Sequence, residues 1–285
     1  MKPAPFVYHA PKTVEEAIAA LAEVAPQEGR VLAGGQSLVP AMALRLAMPR
    51  HLVDINGVAG FDRLALEGGE LSIGACVRHA AFHQPAVPGP LCVLLSQVAG
   101  HIAHYPIRVR GTFCGSLAQA DPASEWCLVA ATVGATMVVK SARGVRAIAA
   151  AEFFQGPMTT ALAADELLCE ARLPALAPDT RFGFREFSRR AGDFAIAMTL
   201  ATYQLRDGVM TGPRIGVGGV DGRPRRAASA EAELEGRRPG DDVFRTAADA
   251  AADEVEPVED ARYPAAYRRD LVRALTRRAL EQAAA

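Results

Sequence analysis

Two widely separated glycine-rich segments, Ala33-Gly34-Gly35-Gln36-Ser37 and Thr112-Phe113-Cys114-Gly115-Ser116, constrain this chain more than anything else in it. Each lies between a short apolar run and a stretch with helical spacing. Small residues at such a junction let backbone N–H groups approach an anion closely, and a helix N-terminus favours negative charge. Each segment alone is also what close helix-on-strand packing requires. Two together suggest a diphosphate gripped from both sides.

The bulk properties narrow the remaining possibilities. With 285 residues and 50% apolar content, the chain can form two or three packed units. A formal net charge of −1 and no long run of one sign leave no electrostatic footprint for nucleic acid or an anionic membrane. No apolar stretch approaches the roughly 20 residues of a membrane span, and Met1-Lys2-Pro3-Ala4-Pro5 lacks a signal-peptide core, so a cytoplasmic protein is expected. The five cysteines (Cys76, Cys92, Cys114, Cys127, Cys169) form no C-x-x-C, which signals neither a disulfide framework nor a metal or cluster ligand set. Lys2, Lys12 and Lys140 are the only lysines, which removes the common lysine chemistries.

Periodicity and capping signals predict the elements. Tyr8 opens a strand, and the capping box Thr13-Val14-Glu15-Glu16 starts a helix that runs to about Pro26. Strand Arg30–Leu32, helix Leu38–Ala47 and strand His51–Ile55 complete a β-α-β-α-β unit ending at the Asn56-Gly57 turn. A hairpin is expected around Gly68-Gly69, followed by a helix through Leu91 and Ile102. A second helix starts at Pro122, and strands follow at Thr136–Lys140, Val145–Ile148 and Leu167–Leu173. After a Pro174–Pro178 linker, three antiparallel strands and three helical segments form another unit. The expected boundaries are 1–57, 58–176 and 177–285, and the expected overall class is α+β.

Several familiar motifs fail. Gly35-Gln36-Ser37-Leu38-Val39 lacks the second glycine of a nucleophile elbow, and no lysine follows either segment as a phosphate-binding P-loop demands. Gly216-Val217-Gly218-Gly219 misses the dinucleotide fingerprint and reads as a tight sheet corner. His79 and His83 have i, i+4 spacing but no third ligand in view, so no metal site is expected. His101 and His104 could line a site or serve structure.

Taken together, Leu32-Ala33-Gly34-Gly35-Gln36-Ser37-Leu38 and Arg110-Gly111-Thr112-Phe113-Cys114-Gly115-Ser116-Leu117-Ala118, followed by Ala120-Asp121-Pro122, resemble the FAD-binding medium subunit of molybdenum hydroxylases. This is the family of carbon monoxide dehydrogenase and of the xanthine, nicotine and caffeine dehydrogenases. Phe187-Ser188-Arg189-Arg190-Ala191-Gly192-Asp193-Phe194-Ala195 and Tyr267-Arg268-Arg269-Asp270-Leu271 resemble its C-terminal domain, so the likeness spans the chain.

The resemblance implies a two-subdomain α/β FAD-binding domain of the PCMH-like kind, then an α+β domain with an antiparallel sheet and helices. It implies FAD on this chain, a large partner with the molybdenum cofactor and a small partner with two [2Fe–2S] clusters. Electrons would pass through FAD to an external acceptor, in a dimer of heterotrimers. Leu32 to Leu38 and Gly111, Thr112, Cys114, Gly115 and Ser116 would wrap the diphosphate. Ala120, Asp121 and Glu125 match contacts to the sugar or ribityl part. Ile102 and Phe194 match side chains flanking the isoalloxazine, with Leu168 and Arg185 near its edge. No residue is expected to act as catalytic acid or base, because FAD supplies the redox chemistry.

The chain departs from the family pattern at three places. Cys114 replaces the first glycine of a Gly-Gly pair, which puts a thiol near the cofactor. Phe194 replaces a tyrosine, and His104-Tyr105-Pro106 replaces Asp-Pro-Gln at the expected flavin entrance. An N-heteroaromatic substrate for the whole complex is expected from the Phe-Cys-Gly-Ser form of the second segment. The alternatives are a carbon monoxide- or aldehyde-oxidising complex, a flavin-free structural or assembly subunit, and a self-sufficient flavin oxidase.

Overall fold

The computed structural model describes residues 2–285. Thr13 caps the first helix as its sequence dictates. Its side chain accepts from Glu16 N while Glu16 reaches back to the cap, giving α1 (Val14–Val24). Strands β1 (Val7–His9), β2 (Gly29–Leu32) and β3 (His51–Asp54) form a parallel sheet in the order β1-β3-β2. Helix α2 (Leu38–Ala43) connects β2 to β3. It stops short of the expected Ala47, because the chain leaves helical geometry at Arg45, with φ 57°.

The second sheet is antiparallel throughout, in the order β4-β5-β10-β6-β7. Its hairpin of β4 (Leu64–Glu67) and β5 (Glu70–Gly74) turns at Gly68-Gly69, both with positive φ, as a two-residue hairpin loop requires. Helices α3 (Pro90–Ala99), α4 (Tyr105–Arg108), α5 (Phe113–Gln119) and α6 (Glu125–Val133) precede β6 (Thr136–Ser141) and β7 (Gly144–Ala149). Then come α7 (Ala150–Phe153), the two-stranded ribbon β8 (Phe154–Gly156) and β9 (Thr159–Thr160), and central strand β10 (Leu167–Pro174).

The third sheet, β11 (Arg181–Phe187), β12 (Ala197–Arg206), β13 (Val209–Gly218) and β14 (Arg225–Arg226), is antiparallel in chain order. Helices α8 (Ala228–Leu234), α9 (Asp241–Glu254) and α10 (Ala265–Ala284) follow it. An added Cβ at Gly216 would lie 1.8 Å from Thr132 Oγ1, and one at Gly183 would lie 1.9 Å from the Ala279 carbonyl oxygen. Glycine there lets α6 and α10 lie directly on the sheet. The Arg268 guanidinium, in the Tyr267–Leu271 signature, donates to the Ile196 and Gly219 carbonyls at 3.0 and 2.9 Å and to Asp260 at 2.7 Å. It thereby ties α10 to the segment that carries Phe194.

Three cores hold the units. The largest contains the ring cluster of Phe82, Phe113 and Trp126. A second lies between the third sheet and its helices, and a third between α1 and the first sheet. No helix among the described residues is long and apolar enough to cross a membrane.

Candidate functional site

The two glycine segments meet. A Cβ placed on Gly34 would lie 2.5 Å from the Arg110 carbonyl oxygen, 2.6 Å from Gly111 Cα and 3.0 Å from Thr112 N. No side chain fits between backbones this close. Gly35, with φ 72°, turns the chain into α2, and Gln36 Nε2 donates back to the Gly34 carbonyl at 3.0 Å. The N–H groups of Gly34, Gly35, Gln36, Ser37 and Leu38 find no acceptor among the described residues, since the first helical bond runs from Val39 N to Gly35 O at 2.9 Å. This row of unpaired donors is the chemistry an anion needs.

The second segment is the start of a helix, not an open loop. Thr112 is the N-cap of α5, so Phe113 to Ser116 are helical from the start. Thr112 Oγ1 accepts from Gly115 N at 3.1 Å, and a Cβ on Gly115 would strike that oxygen at 2.5 Å. The glycine thus permits the cap. Thr112→Val, which deletes the accepting oxygen at nearly constant volume, is expected to lower the melting temperature of the chain by about 2–4 °C, from a cap worth roughly 1 kcal/mol. Thr112→Ser should restore most of it in the same thermal scan.

Cys114 is the second residue of α5 and is 2% exposed, its sulfur donating to the Ile73 carbonyl at 3.4 Å in the core. Burial raises its thiol pKa strongly, so the group is an un-ionised, space-filling side chain. Gly111 is pinned from behind. A Cβ there would meet His79 Nε2 at 2.5 Å, and His79 Nδ1 accepts from Trp126 Nε1 at 2.9 Å. Because indole can only donate, the imidazole proton sits on Nε2. Burial, with Arg78 and Arg108 nearby, lowers the His79 pKa to about 4, which keeps the ring neutral.

A cavity of about 370 Å³ opens between the first and second units, lined by Ala33, Cys114, Gly115 and Leu168 among the anticipated residues. Met158 to Thr160 and Leu162 to Ala164 form its other wall and carried no sequence signal beyond loop composition. Ala120 ends α5 in the left-handed region with φ 51°, and Asp121 Oδ1 accepts from Ala123 N at 2.9 Å, fixing the turn into α6.

Ile102 is buried in the main core, while Glu125 and Arg185 belong to another cluster. Glu125 opens α6 in a buried position, where desolvation, helped by Asp121, raises its pKa to about 7. Glu186, beside Arg185 on β11, has a side chain only 4% exposed and an Oε2 without a hydrogen-bond partner. Burial and the Glu125 charge raise its pKa to about 8. His101 Nδ1 is 3.9 Å from that oxygen, and burial and Arg185 lower the imidazole pKa. Near neutral pH this is a neutral acid beside a neutral ring, not an ion pair. Phe194 is 75% exposed, on a segment where Gly192, with φ 83°, packs against the His104 ring.

Sequence reasoning missed Asn56, Arg78 and Glu186. Asn56 Nδ2 donates to the Ala33 carbonyl at 2.8 Å, and Arg78 Nη2 donates to Asn56 Oδ1 at 2.6 Å.

The comparisons agree with this geometry. Residues 4–176 match the family described as FAD binding domain in molybdopterin dehydrogenase, and residues 182–283 match CO dehydrogenase flavoprotein C-terminal domain. The nicotine 6-hydroxylase medium subunit of Paenarthrobacter nicotinovorans is 37% identical over 279 residues, 98% of this chain and 97% of that protein. A solved carbon monoxide dehydrogenase from Hydrogenophaga pseudoflava superposes with a TM-score of 0.95 at 36% identity, covering 99% of this chain and 98% of that one. Quinoline 2-oxidoreductase from Pseudomonas putida 86 superposes with a TM-score of 0.93 at 36% identity, covering 100% and 98%. With paired glycine segments pressed together and both domains matched along nearly the whole chain, the protein belongs to the FAD-binding medium subunits of the molybdenum hydroxylases, an oxidoreductase family.

Proposed function

We propose that this chain is the electron-transferring flavoprotein of a heteromeric molybdenum hydroxylase, with FAD seated where its two glycine segments meet. The carrying observation is the contact of Gly34 with the Arg110–Thr112 backbone beside the unpaired N–H groups of residues 34–38. That row of donors suits the charge of a diphosphate. Leu32 to Leu38 and Gly111, Thr112, Cys114, Gly115 and Ser116 would hold it. Ala120, Asp121 and Glu125 would face the sugar and ribityl part, and Ile102, Phe194, Leu168 and Arg185 the ring. The exposure of Phe194 suits an aromatic side chain that gains its partner on binding. The Cys114 sulfur is turned to the Ile73 carbonyl in the core, which supports a seat that the thiol does not crowd.

Bound FAD supplies one- and two-electron redox chemistry. The chain itself orients the cofactor, excludes water and sets its electrostatic surroundings. Its partners in this reading are a small subunit with two [2Fe–2S] clusters that delivers electrons and a large subunit with the molybdenum cofactor. An external acceptor receives the electrons, and a dimer of heterotrimers in the cytoplasm is the arrangement proposed. Similarity to the nicotine and quinoline enzymes supports an N-heteroaromatic substrate for the complex. The three sheets support division at 57/58 and 176/177.

The purified chain, scanned in the visible and with its released chromophore weighed by mass spectrometry, should carry about one FAD. A colourless chain that takes up no added FAD would refute the reading. For the substrate class, the reconstituted complex should oxidise N-heteroaromatics, and oxidation of carbon monoxide alone would overturn that part.

A further inference from the structure

One guanidinium ties the two glycine segments together. Residues 77–79 run antiparallel to 111–113, with Phe113 N donating to Val77 O and His79 N to Gly111 O, both at 3.0 Å. Arg78 between them sends its half-buried side chain across the junction. Its Nη1 donates to the Arg110 carbonyl, on the residue before Gly111. Its Nη2 donates at 2.6 Å to Asn56 Oδ1, and Asn56 Nδ2 donates at 2.8 Å to the Ala33 carbonyl, on the residue before Gly34. Asn56 is held in turn by Asp54, whose Oδ1 accepts from Asn56 N at 2.9 Å and whose other oxygen accepts from the Tyr8 hydroxyl.

We propose that Arg78 is the positioning residue of the dinucleotide seat, acting through Asn56 and the Arg110 carbonyl to set the gap across which the diphosphate is held. The proposal rests on the FAD reading above. A trans peptide points its carbonyl and the following N–H in opposite directions, so fixing the Ala33 carbonyl on the Asn56 side turns the Gly34 N–H away from it. The Gly34 contact alone resists compression but does nothing to keep the segments from parting. The Arg78 fork supplies that restraint, because its planar geometry serves two acceptors at once, as a lysine ammonium on a flexible stem does not.

The test measures FAD dissociation constants of the flavin-stripped full chain by quenching of flavin fluorescence, with thermal scans of the same stripped proteins. Arg78→Ala is expected to weaken FAD 10- to 100-fold, and Arg78→Lys to recover only part of this. Asn56→Ala should weaken FAD in the same direction, and the Arg78→Ala, Asn56→Ala double variant should bind about as well as Arg78→Ala alone, since both act in one chain of contacts. Melting temperatures of the stripped variants should stay within about 2 °C of wild type, as expected for exposed or half-buried groups outside a core. If wild type binds FAD and both Arg78→Ala and Asn56→Ala bind it equally well, the positioning role is overturned alone. If wild type takes up no FAD, the cofactor reading falls and the proposal with it. Fully additive losses in the double variant would also overturn the proposal, because they would place the two residues in separate roles.

Discussion

Flavin-stripped chain carrying Gly34→Ala is expected to bind FAD at least about 100-fold more weakly than wild type. The added Cβ would lie 2.5 Å from the Arg110 oxygen and 2.6 Å from Gly111 Cα, both backbone atoms that no side-chain rotation can clear. The segments must separate by most of an ångström to reach ordinary contact. Donors from the two sides could then no longer meet one diphosphate together. Loss of two charge-assisted hydrogen bonds, at roughly 1.5–3 kcal/mol each, gives a penalty on the order of 3–6 kcal/mol, which corresponds to about 100-fold or more. The fold should survive, with overpacking costing about 1–3 kcal/mol in a thermal scan of the stripped chain. Wild-type affinity in this variant would show that the two segments do not grip one ligand. Unfolding alone would be recognised from the same scan, and Gly35→Ala then provides a second probe, because its strain arises from φ 72° and not from the opposing backbone.

Much of this architecture follows from local chemistry. The Thr13–Glu16 capping box, the Gly68-Gly69 hairpin turn and the Asp207-Gly208 turn each need only neighbouring residues to act, and each forms where its residues stand. The helical start of the second glycine segment is harder to read locally, because glycine usually interrupts a helix, whereas Gly115 lets the Thr112 cap form. The expected helix through Ile102 ends at Ala99 with Gly100 as its cap, and Ile102 still packs into the core, so its apolar spacing reads as helix although the chain has already left it. His79 and His83 share a spacing, yet they sit in a single tight turn where His79 serves Trp126 and Gly111. Asn56 and Arg78 were invisible for a different reason. Their partners lie 22, 23 and 32 residues away, so only tertiary geometry reveals what they hold. A polar residue at the end of a turn and an arginine after a strand are ordinary in any sequence.

Glu186→Gln is expected to stabilise the chain at alkaline pH and to flatten its stability profile. The Glu186 carboxyl is enclosed, one oxygen lacks a hydrogen-bond partner, and Glu125 is near enough for its charge to oppose ionisation. With a folded pKa of about 8 against an unfolded value near 4.3, the folded state retains a proton that the unfolded chain releases. The direction follows from that difference. The stabilising protonation is fully present below about pH 4.3 and is lost progressively as pH rises toward 8. Glu125, with its pKa raised to about 7, acts in the same sense, so the pair should make the protein less stable at pH 8.5 than at pH 5.5. His101 opposes this weakly, because its lowered pKa favours folding as pH rises through the imidazole range. The amide cannot ionise and nearly preserves shape, so the gain of Glu186→Gln over wild type should be about 3 kcal/mol larger at pH 8.5 than at pH 5.5. Denaturant midpoints of stripped wild type and variant at the two pH values measure this directly. Parallel profiles would mean that Glu186 ionises freely in the folded chain. The buried pair Glu125 and Glu186 would then carry two negative charges in one enclosed cluster, a cost that the fold would have to offset elsewhere.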